Sequence, residues 1–200
     1  VVEAATSDRI LVNYAQISDD SDEDGNPIDD IDSTPDEWID TDDDQDIERV
    51  KVRTSGEYDV VLVKEDENGE QLNSTATFEV TANGTTEEKT VTGKLTIAQN
   101  IPVDADHLTN DVYIIKETKA PDEYCKFDGI ITITVTKNIS ADGSEYEKNM
   151  TYTVTAPDGS DITDETENVN VYLNESGNIY VEVKNYEEPE IHKGVKDVQN

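Results

Sequence analysis

Tyr113-Ile114-Ile115-Lys116-Glu117-Thr118-Lys119-Ala120-Pro121-Asp122-Glu123-Tyr124 is the stretch on which the reading of the chain turns. In a strand, alternate side chains share a face, so Tyr113, Ile115 and Glu117 point the same way until Pro121 starts a turn. A carboxylate on an apolar face is costly without a partner. Two other runs end in the same manner: Tyr58-x-Val60-x-Leu62-x-Lys64 and Ile179-x-Val181-x-Val183-x-Asn185. Three strands thus each close an apolar alternation with a polar group that faces inward.

Two outcomes are open to such a trio. One is a buried Lys64–Glu117 ion pair, with Asn185 satisfying the remaining hydrogen bonds. The other is covalent. Burial raises a carboxyl pKa and lowers that of an amine, so a neutral lysine and a protonated acid can coexist. The amine is then a nucleophile, the acid polarises the amide carbonyl, and confinement supplies the effective molarity that a slow amide exchange needs.

The Glu117-Thr118-x-Ala120-Pro121-x-x-Tyr124 string resembles the E-box of Cna protein B-type (SpaA-like, prealbumin-like) domains of Gram-positive surface adhesins and pilins. Val63-Lys64-Glu65-Asp66-Glu67-Asn68-Gly69-Glu70-Gln71-Leu72 resembles their reactive-lysine strand and following turn. The likeness spans about residues 53 to 188. It implies an intramolecular isopeptide bond between Lys64 and Asn185, formed with loss of ammonia and assisted by Glu117 as proton shuttle. Glu123 departs from the pattern, since the family usually carries glycine before the tyrosine.

Forty-eight acidic residues against 15 basic ones give a net charge of −33. Nucleic acid and anionic membrane both call for a positive surface, so neither is expected as a partner. The single cysteine, Cys125, allows no intrachain disulfide, and it reads as an incidental, part-buried thiol. No signal peptide, transmembrane run or sorting motif is evident, and the sequence reads as a segment of a longer protein. His107 and His192 are the two histidines and neither sits in a catalytic or zinc-binding pattern, so no enzyme is expected.

Upstream, Ile10 to Ile17 and Ile47 to Val52 have strand character and flank a stretch in which residues 18–48 hold sixteen Asp or Glu and no Lys or Arg. With Leu11-Val12-Asn13-Tyr14-Ala15 and Asp42-Asp43-Asp44, this part resembles the end of a repeat-type β-sandwich domain of clostridial-type surface proteins. Asp20-Ser21-Asp22-Glu23-Asp24-Gly25 matches the first half of a calcium loop, but Ile31 stands where an EF-hand has its bidentate glutamate. Asp20, Asp22, Asp24 and Asp30 are the candidate Ca2+ ligands; the other reading is a solvated acidic loop. No cofactor is otherwise required. Trp38 reads as an anchor for this loop.

From residue 57 onward, two-residue alternation predicts strands near 57–65, 75–82, 90–98, 111–118, 130–137, 146–155, 168–173 and 178–186, with a short helical turn between Pro102 and Thr109. The expected architecture is all-β: an Ig-like or prealbumin-like β-sandwich with Greek-key connections, plus an N-terminal strand pair around the acidic loop. The expected domains are 1–52 (the end of a preceding β repeat), 53–188 (the Cna-B-like sandwich) and 189–200 (a linker or the start of a next module). The expected role is an extracellular stalk or spacer module in a cell-surface adhesin or pilin-like protein, held between neighbouring modules of the same chain. The alternative is a ligand-binding adhesin domain that grips a host matrix protein or glycan and carries a calcium-stabilised acidic loop.

Overall fold

The computed structural model describes residues 10–16, 22–26, 45–51 and 53–189. Asp20, Asp30 and Trp38 lie outside them, as do residues 190–200. The chain divides into two units: residues 1–54 with 140–145, and residues 55–139 with 146–200. In the first, β1 (Ile10–Gln16) and β2 (Gln45–Lys51) pair antiparallel, from Ile10 opposite Lys51 to Gln16 opposite Gln45.

The second unit is a two-sheet sandwich. Its strands are β3 (Gly56–Glu65), β4 (Thr75–Ala82), β5 (Thr85–Thr92), β6 (Lys94–Val103), β7 (Asp111–Lys119), β8 (Ile130–Ile139), β9 (Tyr146–Thr155), β10 (Val169–Leu173) and β11 (Ile179–Lys184). One sheet has the order β10-β11-β3-β6 and the other β5-β4-β7-β8-β9. Inward residues of both sheets, among them Leu62, Phe78, Ile115, Ile133, Val154 and Val181, form one continuous core. Among the described residues there is no helix; Asp104 to Asp106 form a bend and turn where a helical turn was expected.

The expected strand at 90–98 is two strands in different sheets. Gly93, at φ +69°, is the corner between β5 and β6, and a Cβ there would collide with the Gln71 side chain. Only glycine tolerates that left-handed backbone without strain. The first part of β5, Thr85-Thr86-Glu87-Glu88-Lys89, has no apolar alternation, because β5 is an edge strand with little to bury.

For the site, the decisive pairing is that of β3 with β11. All other neighbouring strands of the sandwich run antiparallel, whereas these two run parallel, with Lys64 opposite Val183. The first and last strands of the unit therefore lie side by side and end at the same edge of their sheet.

Candidate functional site

Alternation on β3 buries Tyr58, Val60, Leu62 and Lys64. On β7 it buries Asp111, Tyr113, Ile115 and Glu117. On β11 it buries Ile179, Val181 and Val183, and the next inward position is Asn185, whose main-chain N–H donates to Glu65 O at 3.0 Å and extends the parallel ladder one step. Lys64, Glu117 and Asn185 are 0, 1 and 1% exposed, respectively.

The segment after β7 completes the enclosure. The turn begins at Pro121, whose carbonyl accepts from Tyr124 N at 3.2 Å, and then pairs with the chain leaving β11. Cys125 N donates to Tyr186 O and Glu188 N to Glu123 O, both at 2.8 Å, and Tyr124 bridges to Glu187. This ladder carries the Cys125 carbonyl onto the Asn185 side-chain amide, which it accepts from. It also brings Phe127 N–H to within 2.7 Å of Glu117 Oε2. The Cys125 residue is exposed rather than part-buried, and its contribution to the site is its main chain.

The three side chains are held in distinct ways. Asn185 Nδ2 donates to Glu117 Oε2 at 3.1 Å. Lys64 Nζ donates to main-chain carbonyls, Val183 O at 2.8 Å and Glu65 O at 3.1 Å. Glu117 Oε1 and Asn185 Oδ1 are buried and have no hydrogen-bond partner among the described residues. Such orphans are rare and costly in a folded interior. Burial depresses the Lys64 amine from 10.5 to about 8, despite the opposing pull of Glu117 and Glu65. Burial also pushes the Glu117 carboxyl above its ordinary value, against the hydrogen bonds from Phe127 and Asn185 and the charge of Lys64. Amine and acid are thus both displaced toward their neutral forms.

A family model described as SpaA, prealbumin-like fold domain, matches residues 58–151. Over these residues the sandwich is similar to the domain of that family. The match takes in Lys64 and Glu117 and ends short of Asn185. The pilus adhesin SpaC from Lactobacillus rhamnosus GG, in an open conformation, is 18% identical with a TM-score of 0.42; the alignment covers 68% of this chain and 15% of that one. A C-terminal fragment of SpaC from Lactobacillus rhamnosus GG is 20% identical with a TM-score of 0.45, covering 68% of this chain and 46% of that one. The chain therefore spans less than half the length of these structures. A comparison with the curated proteins finds no match.

The SpaA-like sandwich has a second buried polar cluster that the sequence reading did not single out. Lys137 Nζ and Tyr58 Oη each lie 2.6 Å from Asp111 Oδ2, and Asn83 Nδ2 donates to Asp111 Oδ1 at 2.8 Å. Lys137 also donates to Pro102 O at 2.9 Å. Burial pushes the Asp111 carboxyl up, but the hydrogen bonds from Lys137, Tyr58 and Asn83 outweigh it and hold the group below 3.8. Here the carboxylate is ionised and fully partnered. The signal for it was present in the alternation Ile131, Ile133, Val135, which Lys137 closes just as Lys64 and Asn185 close theirs.

Of the acidic-loop candidates, Asp22 and Asp24 are described and exposed. Asp22 Oδ1 accepts from Asp24 N at 2.9 Å and Asn26 N at 2.8 Å, capping its own turn. Among the described residues no group of three or more acidic, histidine or cysteine side chains converges as a metal site, and no helix is long and apolar enough to cross a membrane.

Proposed function

We propose that this SpaA-like domain is a load-bearing module of a cell-surface adhesin or pilin-like protein, cross-linked by an autocatalytic isopeptide bond between Lys64 and Asn185. The SpaA family is one of structural domains rather than enzymes, and the chemistry here acts on the chain itself. The supporting observation is that the side-chain amide of Asn185 rests on the carboxyl of Glu117 in a dry pocket, while the amine of Lys64 is held by the carbonyl of Val183, two residues before Asn185.

The groups suit the reaction. In the neutral amine, two N–H bonds go to the carbonyls of Val183 and Glu65, which leaves the lone pair free for an electrophile. Nζ attacks Asn185 Cγ, the Nζ–Cγ bond forms, and the Cγ–Nδ2 bond breaks. Glu117 relays the proton lost by Nζ to Nδ2, which it already touches, and ammonia departs. No proton or co-reactant is consumed. General acid–base help of this kind contributes roughly 100- to 10,000-fold.

The topology makes the bond mechanically useful. Force applied through the two ends of the unit runs along β3 to Lys64, across the bond, and out after Asn185, bypassing every strand between. Such a module serves as an inextensible spacer between neighbouring modules on a cell exterior. Tandem mass spectrometry of a digest should find one branched peptide that joins the Lys64 and Asn185 segments. Separate, unmodified peptides carrying Lys64 and Asn185 would contradict the proposal.

A further inference from the structure

Glu117 receives its hydrogen bonds unevenly, and the cause lies outside the three side chains. Oε2 accepts from both Phe127 N–H, at 2.7 Å, and Asn185 Nδ2, at 3.1 Å, whereas Oε1 accepts from no group among the described residues. A carboxyl group loaded in this way keeps its proton on Oε1. The main chain at Phe127 therefore selects the oxygen that exchanges a proton with the amine.

What fixes that main chain is the packing of Phe127 on Gly129. The Phe127 ring is 8% exposed and lies over the buried Gly129. A Cβ on residue 129 would stand 2.9 Å from the ring's Cε1 and closer still to its Cζ. Separations under 3.0 Å are not found for real Cβ atoms, so any side chain at 129 must displace the ring. Gly129 has no left-handed backbone to explain it; the space taken by the ring is the reason for a glycine there.

We propose that Phe127 and Gly129 are positioning residues for the cross-linking reaction: the ring seated on Gly129 aims the Phe127 N–H at Glu117 Oε2, which leaves Oε1 as the proton-carrying atom. The inference rests on the isopeptide reading above, and its test separates the two. The bonds made and broken are those already given, Nζ–Cγ and Cγ–Nδ2; only the efficiency of the proton relay depends on residues 127 and 129.

Two measurements test it. In freshly synthesised protein, the loss of ammonia is followed by intact mass over a pH series. Gly129→Ala should slow linkage about tenfold, the effect of losing one hydrogen bond. It should also move the acid limb of the rate profile to higher pH, because the donor that holds the Glu117 carboxyl down is withdrawn. Phe127→Leu added to Gly129→Ala, which frees the space, should restore both. In the Asn185→Ala background, where no linkage can occur, NMR titration of the Glu117 carboxyl should show the same upward shift with Gly129→Ala and its reversal with the double change. An unshifted Glu117 titration, or a shift that Phe127→Leu does not reverse, overturns the assignment. A wild type that never loses ammonia, together with a shifted titration, overturns the isopeptide reading and leaves standing only that the ring on Gly129 aims the Phe127 N–H at Glu117.

Discussion

Asp111 and Glu117 point to the same inward face of β7, six positions apart, and the protein displaces their carboxyl groups in opposite directions. The strand facing them repeats the spacing, with Tyr58 meeting Asp111 at one end of the core and Lys64 near Glu117 at the other. At the first end every donor is matched: amine, phenol and amide all reach the same carboxylate. At the second, the amine is committed to main-chain carbonyls and two oxygens have no partner among the described residues. One end is fully matched; the other holds the unmatched groups that the proposed bond would use.

That contrast predicts different responses to mutation. Asp111→Asn leaves the Lys137 ammonium buried without its counter-charge and should cost about 3 kcal/mol or more. Adding Lys137→Met should recover much of it, since a well-packed apolar pair often equals a buried ion pair. Asp111 titrates lower in the folded state than in the unfolded one. Its contribution is therefore present above pH 3.8 and fades as the pH falls through the folded value. Denaturant melts across acid pH should show the gap between wild type and Asp111→Asn closing there, while linkage of Lys64 persists in the folded variant.

The reactive end carries its own pH signature. In Asn185→Ala the amine of Lys64 remains buried and free, with a folded pKa of about 8 against 10.5 when unfolded. The unfolded chain then binds more protons between those values, so stability rises with pH across that window and is flat, for this group, below it. The rise should amount to roughly 3 kcal/mol in all. With the proposed bond formed, the wild type would have an amide in place of the amine and should lack this rise, which the difference between the two pH–stability curves reads directly.

Glu123 sits at φ +73°, the left-handed region, at the one point where the E-box string departs from its family pattern. Glycine is the residue that adopts such a backbone most readily. A side chain there costs about 1–2 kcal/mol, and a glycine gives back roughly 0.5–1 kcal/mol of that in unfolded-state entropy. Glu123→Gly should therefore stabilise the domain by up to about 1 kcal/mol and leave the Cys125 and Tyr186 main-chain pairing intact. A loss of stability would show that the Glu123 side chain makes a contribution larger than its strain.

Closing the loop from Lys64 to Asn185, about 120 residues, should stabilise the fold by roughly 4–5 kcal/mol if chain entropy behaves as it does for disulfides. Lys64→Arg removes the nucleophile and keeps a cation, so its unfolding free energy should fall by that amount or more, with a lower denaturation midpoint. An unchanged midpoint would mean that no cross-link contributes to the wild type.

Much of the site was legible because burial in a sandwich imposes a two-residue period, and a polar residue that closes an apolar alternation stands out. Glu117, Lys64 and Asn185 each do so. Lys137 does so as well, and Asp111 shares the parity of Glu117, so the second cluster was readable by the same rule. The β5–β6 corner was not, since an edge strand of Thr, Glu and Lys has no apolar rhythm and Gly93 marks a change of sheet, not an end. Nor were the roles of the Cys125 carbonyl and the Phe127 N–H, because main-chain groups carry no signature in the residue that bears them.

Intact mass spectrometry of the purified wild-type protein tests the central claim most directly. The account predicts a mass lower than that calculated from the sequence by one ammonia, with the full value restored in Glu117→Ala. The full calculated mass in the folded wild type would contradict it.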